Sequence, residues 1–105
     1  MHIEITEHAF VDLQDIYNYI ARSDSIESAD YVIDRIYEQI NALTDFPLRG
    51  AQVKELINLG NKDYKELFFK PYRIIYKFKD DTVFIVVVAD GRRDFKTLLE
   101  RRMFS

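Results

Sequence analysis

The chain has 105 residues, enough for one domain (residues 1–105) and too few for two. Cysteine is absent, which excludes disulfides, thiolate zinc sites and cysteine nucleophiles together, and 3 Gly with 2 Pro exclude long flexible linkers. The net charge of −3 is unevenly spread: residues 1–50 carry ten acids against three bases, and residues 51–105 carry eight acids against twelve bases. The second half therefore suits an acidic or phosphate-bearing partner and the first half does not.

His2 to Ile5 alternates and predicts a short strand, with Thr6 as helix N-cap and Glu7 in the first turn. Ala9, Phe10, Leu13, Ile16, Tyr17 and Ile20 then follow helical spacing, while Asp12, Gln14, Asp15 and Asn18 read as its polar side. Ser23-Asp24-Ser25 breaks the pattern and offers caps for a second helix, whose stripe runs through Ala29, Val32, Ile33, Ile36, Tyr37, Ile40 and Leu43. Phe46-Pro47 ends it, because proline disfavours a helical residue before it. With so short a loop, the two helices predict an antiparallel hairpin.

After an irregular stretch to about Asp63, the period changes to two. Tyr64–Phe69, Tyr72–Phe78 and Val83–Ala89 read as strands of an antiparallel meander, joined by hairpin-length connections. In the middle strand Tyr72, Ile74, Tyr76 and Phe78 share the face expected to meet the helices. Arg73, Ile75 and Lys77 share the other, expected to be exposed or partner-facing. Val83–Val88 is apolar on both faces, as an inner strand covered twice would be. Asp94 is placed to cap a short last helix anchored by Leu98 and Leu99. The order β-α-α-β-β-β with a short C-terminal helix predicts an α+β domain: a helical hairpin on a small antiparallel sheet.

Sites for chemistry are few. His2 and His8 are the only histidines and belong to no spaced ligand set, so neither a metal nor a cofactor is expected. Asp12 and Asp15 read as solvated carboxylates, and the glycines form no phosphate loop. The 7 Tyr and 8 Phe are a heavy load for this length; most must be core, with Tyr64, Phe68, Phe69 and Phe104 as candidates for binding. The clearest physical signal is basic: Lys65, Lys70, Arg73, Lys77 and Lys79, then Arg92, Arg93, Lys96, Arg101 and Arg102. Guanidinium groups in such numbers suit phosphate or carboxylate recognition. The opening residues lack the basic and apolar segments of a signal peptide, and the longest apolar run, Val83 to Ala89, is too short to span a bilayer. A cytoplasmic protein without membrane contact is the expectation.

The sequence also resembles the RelE/ParE superfamily of bacterial toxins from type II toxin–antitoxin systems. The resemblance rests on Ala9–Ala21, on Leu43-Thr44-Asp45-Phe46-Pro47 with Gly50, and on Tyr64-Lys65-Glu66-Leu67. Tyr72-Arg73-Ile74-Ile75-Tyr76 and Asp90-Gly91-Arg92-Arg93-Asp94 complete it. It implies a helical hairpin packed on an antiparallel sheet, and a cognate antitoxin as partner, through which alone DNA would be met. Members similar to RelE cleave messenger RNA on the ribosome with lysines, two arginines and often a tail tyrosine. That comparison implies Lys65, Arg73 and Arg93 as a ribonuclease set here. The lysine pair is incomplete, no tyrosine follows Tyr76, and no histidine lies in the second half to move protons. Members similar to ParE poison DNA gyrase and need no nuclease site; the Tyr-Lys-Glu-Leu strand and Arg-Arg-Asp tail look more like these. This reading implies Arg73, Arg92, Arg93, Lys96, Arg101 and Arg102 as target-binding residues on one cationic corner. Asp90 stands where many such toxins have histidine. Gyrase poison, ribosome-dependent ribonuclease and a degenerate member that only binds antitoxin remain three readings of one sequence, with gyrase favoured.

Overall fold

The structure is a computed structural model that describes residues 1–58 and 60–104, the side chain of Phe104 excepted. Its elements in chain order are β1 (His2–Ile5), α1 (Glu7–Ser23), α2 (Ile26–Asn41), a 3₁₀ turn (Ala42–Thr44) and β2 (Ala51–Gln52). Then come α3 (Lys54–Ile57), β3 (Tyr64–Phe69), β4 (Tyr72–Lys79), β5 (Thr82–Asp90) and α4 (Phe95–Phe104). The caps are those the sequence offers. Thr6 Oγ1 accepts the Ala9 N–H at 3.3 Å, Ser25 Oγ accepts that of Ser28 at 3.0 Å, and Asp94 accepts that of Thr97 at 3.2 Å. The Tyr17 hydroxyl donates to Asp30 at 2.9 Å and ties α1 to α2.

The sheet order is β1-β5-β4-β3-β2. The strands β2 to β5 pair antiparallel, as the meander predicts, with Asp80 and Asp81 at positive φ (52° and 59°) in the tight β4–β5 turn. The expectation of a purely antiparallel sheet is corrected at one edge. β1 pairs parallel with β5, from His2 opposite Thr82 to Ile5 opposite Ile85, so the sheet is mixed. A parallel neighbour requires a crossover, and the hairpin is part of that crossover.

One sheet face packs on the hairpin through Ala9, Leu13, Ile36 and Ile40 from the helices and Ile74, Tyr76, Val83, Ile85 and Val88 from the strands. Tyr76 is completely buried there, its hydroxyl accepting the Gly50 N–H at 2.9 Å. A Cβ at Gly50 would lie 2.7 Å from that ring, so the position needs glycine for the close approach. The other face is covered as well, contrary to the expected exposed surface. Val53, Leu56, Phe95, Leu98 and Leu99 from α3, its N-cap and α4 close over Ile75, Val87 and Ala89 as a second core. A bulge makes both cores possible. The register passes from Ile75 opposite Val87 to Tyr76 opposite Ile85, leaving Val86 as the extra residue, so Val88 still faces the hairpin while Val87 and Ala89 turn to α4. Among the described residues no helix is long and apolar enough to cross a membrane.

Candidate functional site

Arg73 leaves β4 at its second residue, on the α3–α4 face. The chain compensates its charge with carboxylates, although its buried Nε has no hydrogen-bond partner. Its two terminal nitrogens donate to Glu55 of α3 at 2.8 Å each, and Nη2 also donates to Glu66 of β3 at 2.6 Å. The guanidinium lies over the Phe95 ring, 4.1 Å from its centroid. Arg73 is 8% exposed and Glu66 5%, so this is a buried cluster of two carboxylates on one cation. The two glutamates raise the Arg73 pKa further, and the guanidinium bond holds the Glu55 carboxyl below its usual range. The placement of Arg73 on an exposed cationic corner is thereby corrected: its charge is spent inside. Gly91 passes so close that a Cβ there would sit 2.9 Å from Arg73 Cδ, so the arginine stem also supports the start of the tail.

Lys65 is elsewhere. It stands opposite Tyr76 while Glu66 stands opposite Ile75, which puts Lys65 on the hairpin side of the sheet and Arg73 on the other. The three residues of the ribonuclease set, Lys65, Arg73 and Arg93, are therefore not brought together on one face. His2 and His8 are exposed near the start of the chain, and among the described residues no three His, Cys, Asp or Glu side chains are grouped so as to hold a metal ion.

Arg102 is also turned inward. It pairs with Asp12 of α1 and donates to the Val86 carbonyl at 3.0 Å, while Asp12 accepts the Val88 N–H at 3.0 Å. Beyond Ile85, strand β5 has lost β1 as a neighbour, and these two side chains satisfy the backbone groups left over. Asp12 is thus no solvated carboxylate. The missed signal was its spacing: three residues after Ala9 and four before Ile16 it borders the apolar stripe.

The remaining predicted cations do cluster at the surface. Arg92, Arg93, Lys96 and Arg101 are exposed on the turn after β5 and along α4. Asp90 accepts Arg92 Nε at 2.9 Å and Nη2 at 2.6 Å, and its carboxyl is held low by that bond. Tyr64 packs at the edge of the second core with Lys77 over its ring, Phe69 packs against the hairpin core, and Phe68 is exposed. The side chain of Phe104 lies outside the described residues. Tyr19 (64% exposed), Ile26, Tyr31, Phe10 and Val11 leave large apolar surface uncovered on the hairpin.

The family profile described as ParE toxin of type II toxin-antitoxin system, parDE, matches residues 3–95. The chain belongs to the ParE toxin family. Among solved structures, this ParE chain is similar to one from the chromosomal ParDE toxin–antitoxin system of P. aeruginosa, with a TM-score of 0.72 and 21% identity over 86% of this chain and 95% of that one. At that identity the likeness speaks for the fold. No curated protein matches the sequence.

Proposed function

We propose that this ParE-family chain arrests growth by binding DNA gyrase in the cytoplasm, that it performs no catalysis of its own, and that a cognate antitoxin neutralises it. The observation that carries the reading is the division of the basic residues. Phosphodiester cleavage needs cations around the developing charge and a group that moves protons at one place. Here Arg73 is held by Glu55 and Glu66, and Lys65 lies on the opposite face. What the chain offers outward is the corner of Arg92, Arg93, Lys96 and Arg101, a surface suited to binding an acidic or phosphate-bearing target. The uncovered apolar residues of α1 and α2 support the antitoxin part of the reading, since a segment that folds on contact would bury them.

The test is purified chain with gyrase on supercoiled DNA, run beside ribosomes programmed with messenger RNA. Loss of gyrase activity with intact message is the expected result. Codon-positioned cleavage with gyrase untouched would replace this reading by the ribonuclease one. Normal growth on soluble expression without antitoxin would favour a degenerate member.

A further inference from the structure

Between α1 and the ends of β4 and β5 lies a cleft of about 520 Å³, on the hairpin side of the sheet and apart from the Arg73 cluster. Its floor is apolar, formed by Ile16 and Val88. Its walls differ in sign. The α1 wall presents Asp15 and the Tyr19 ring; the opposite wall presents Tyr72, with Arg93 beyond it. Three other charges on the lining are already used: Asp12 holds Arg102, and Asp90 holds Arg92. Asp15 and Arg93 make no hydrogen bond or ion pair among the described residues. Arg93 stands near enough to Asp90 to help hold its carboxyl low, so the wall of Asp90, Arg92 and Arg93 carries one positive charge in excess, across the cavity from the Asp15 carboxylate. The phenols of Tyr19 and Tyr72 are close enough to interact electrostatically.

An acid alone would draw any cation and an arginine alone any phosphate. Both in one cleft select a ligand that carries both charges. We propose that this cleft receives a dipolar segment of a partner polypeptide, an arginine side chain beside a carboxylate side chain, with the guanidinium between Tyr19 and Tyr72 against Asp15 and the carboxylate on Arg93. The rings supply faces for the cation, the strip of Ile16 and Val88 receives the arginine stem, and Arg93 offers a fork to the carboxylate. The proposal rests on the reading that a partner polypeptide neutralises the chain, and it names the chemistry of one anchor of that partner. A nucleotide fits less well, because its phosphate brings no cation for Asp15.

The probe is the capped dipeptide acetyl-Arg-Asp-amide, titrated into the folded chain and followed by NMR. Binding in the range of about 1–10 mM is expected for so small a ligand, with shifts at Asp15, Tyr19, Tyr72 and Arg93. Asp15→Asn should weaken it about tenfold and abolish the response to acetyl-Arg-amide while sparing that to acetyl-Asp-amide. Arg93→Gln should do the reverse. Because both variants are at exposed positions, their amide spectra serve as a check that the fold is intact. No shift at the cleft, or equal affinity in wild type and Asp15→Asn, overturns the proposal. So does binding of inorganic phosphate or adenosine monophosphate that needs Arg93 but ignores Asp15. Failure of the wider reading shows separately, as absence of any antitoxin that co-purifies with the chain. A co-purified antitoxin that protects α1 and α2 but leaves the cleft unchanged overturns the cleft alone.

Discussion

Arg73 shows how a surface-type residue becomes structural. Taking one guanidinium out of water is costly, and two carboxylates with an aromatic face offset that cost only while all partners stay in place. Arg73→Met should therefore destabilise by about 3–5 kcal/mol, leaving Glu55 and Glu66 without a counter-charge. At about 4 °C or more per kcal/mol for a domain of this size, melting followed by circular dichroism should fall by at least about 12 °C. Acid should narrow the gap. Glu55 has a folded pKa below its ordinary 4.5, so its contribution is present above that value and is lost as pH falls through the lowered one. The Arg73→Met variant lacks this contribution, so the difference in stability from wild type should shrink steadily below about pH 4.5 in urea melts. None of this was legible locally. The period of two placed Arg73 on the face away from Tyr72, Ile74 and Tyr76, and that was right. Its partners come from 18 and 7 residues before it and, with Phe95, from 22 after, and such spacing leaves no pattern in a sequence.

The helix α4 has a weak amphipathic pattern, yet it closes the second core and locks the bare stretch of β5. Leu99 is 1% exposed beneath it, so Leu99→Ala should cost about 2–5 kcal/mol in denaturant titration, with hydrogen exchange rising first in α4 and beyond Ile85 in β5. The Asp12–Arg102 pair should be coupled: a double-mutant cycle with Asp12→Asn and Arg102→Met should give an interaction energy of about 1–3 kcal/mol, because each side chain also satisfies backbone of β5. Independent, additive losses would show that the pair is incidental. The elements themselves were largely readable: α1, α2, the three long strands and the Asp94 cap follow from spacing and capping chemistry. The parallel β1–β5 pairing and β2 were not, since pairing across the whole chain and a two-residue strand carry no periodic signal.

At the scale of the molecule, charge is sorted by surface: acids and bare apolar side chains lie on the hairpin, exposed cations on the tail and α4. Changing Arg92 and Arg93 together to Ala should abolish growth arrest while shifting stability by no more than about 1 kcal/mol, because the exposed Arg92–Asp90 pair contributes little. Association with gyrase should weaken as salt rises, since charges at an exposed corner are screened within about 10 Å at 0.1 M. Activity insensitive to both changes would move the target surface elsewhere. The order of layers has one more consequence, for synthesis. The hairpin is translated before residues 64–90, which supply most of the strand surface it packs on, and β1 finds its neighbour only when β5 appears. A growing chain thus carries a finished helical pair with no sheet beneath it, so native packing must wait for most of the message to be read. On the proposed function, such a chain should be unable to act until residues 64–90 have folded, and an antitoxin able to grip the hairpin alone would reach it first.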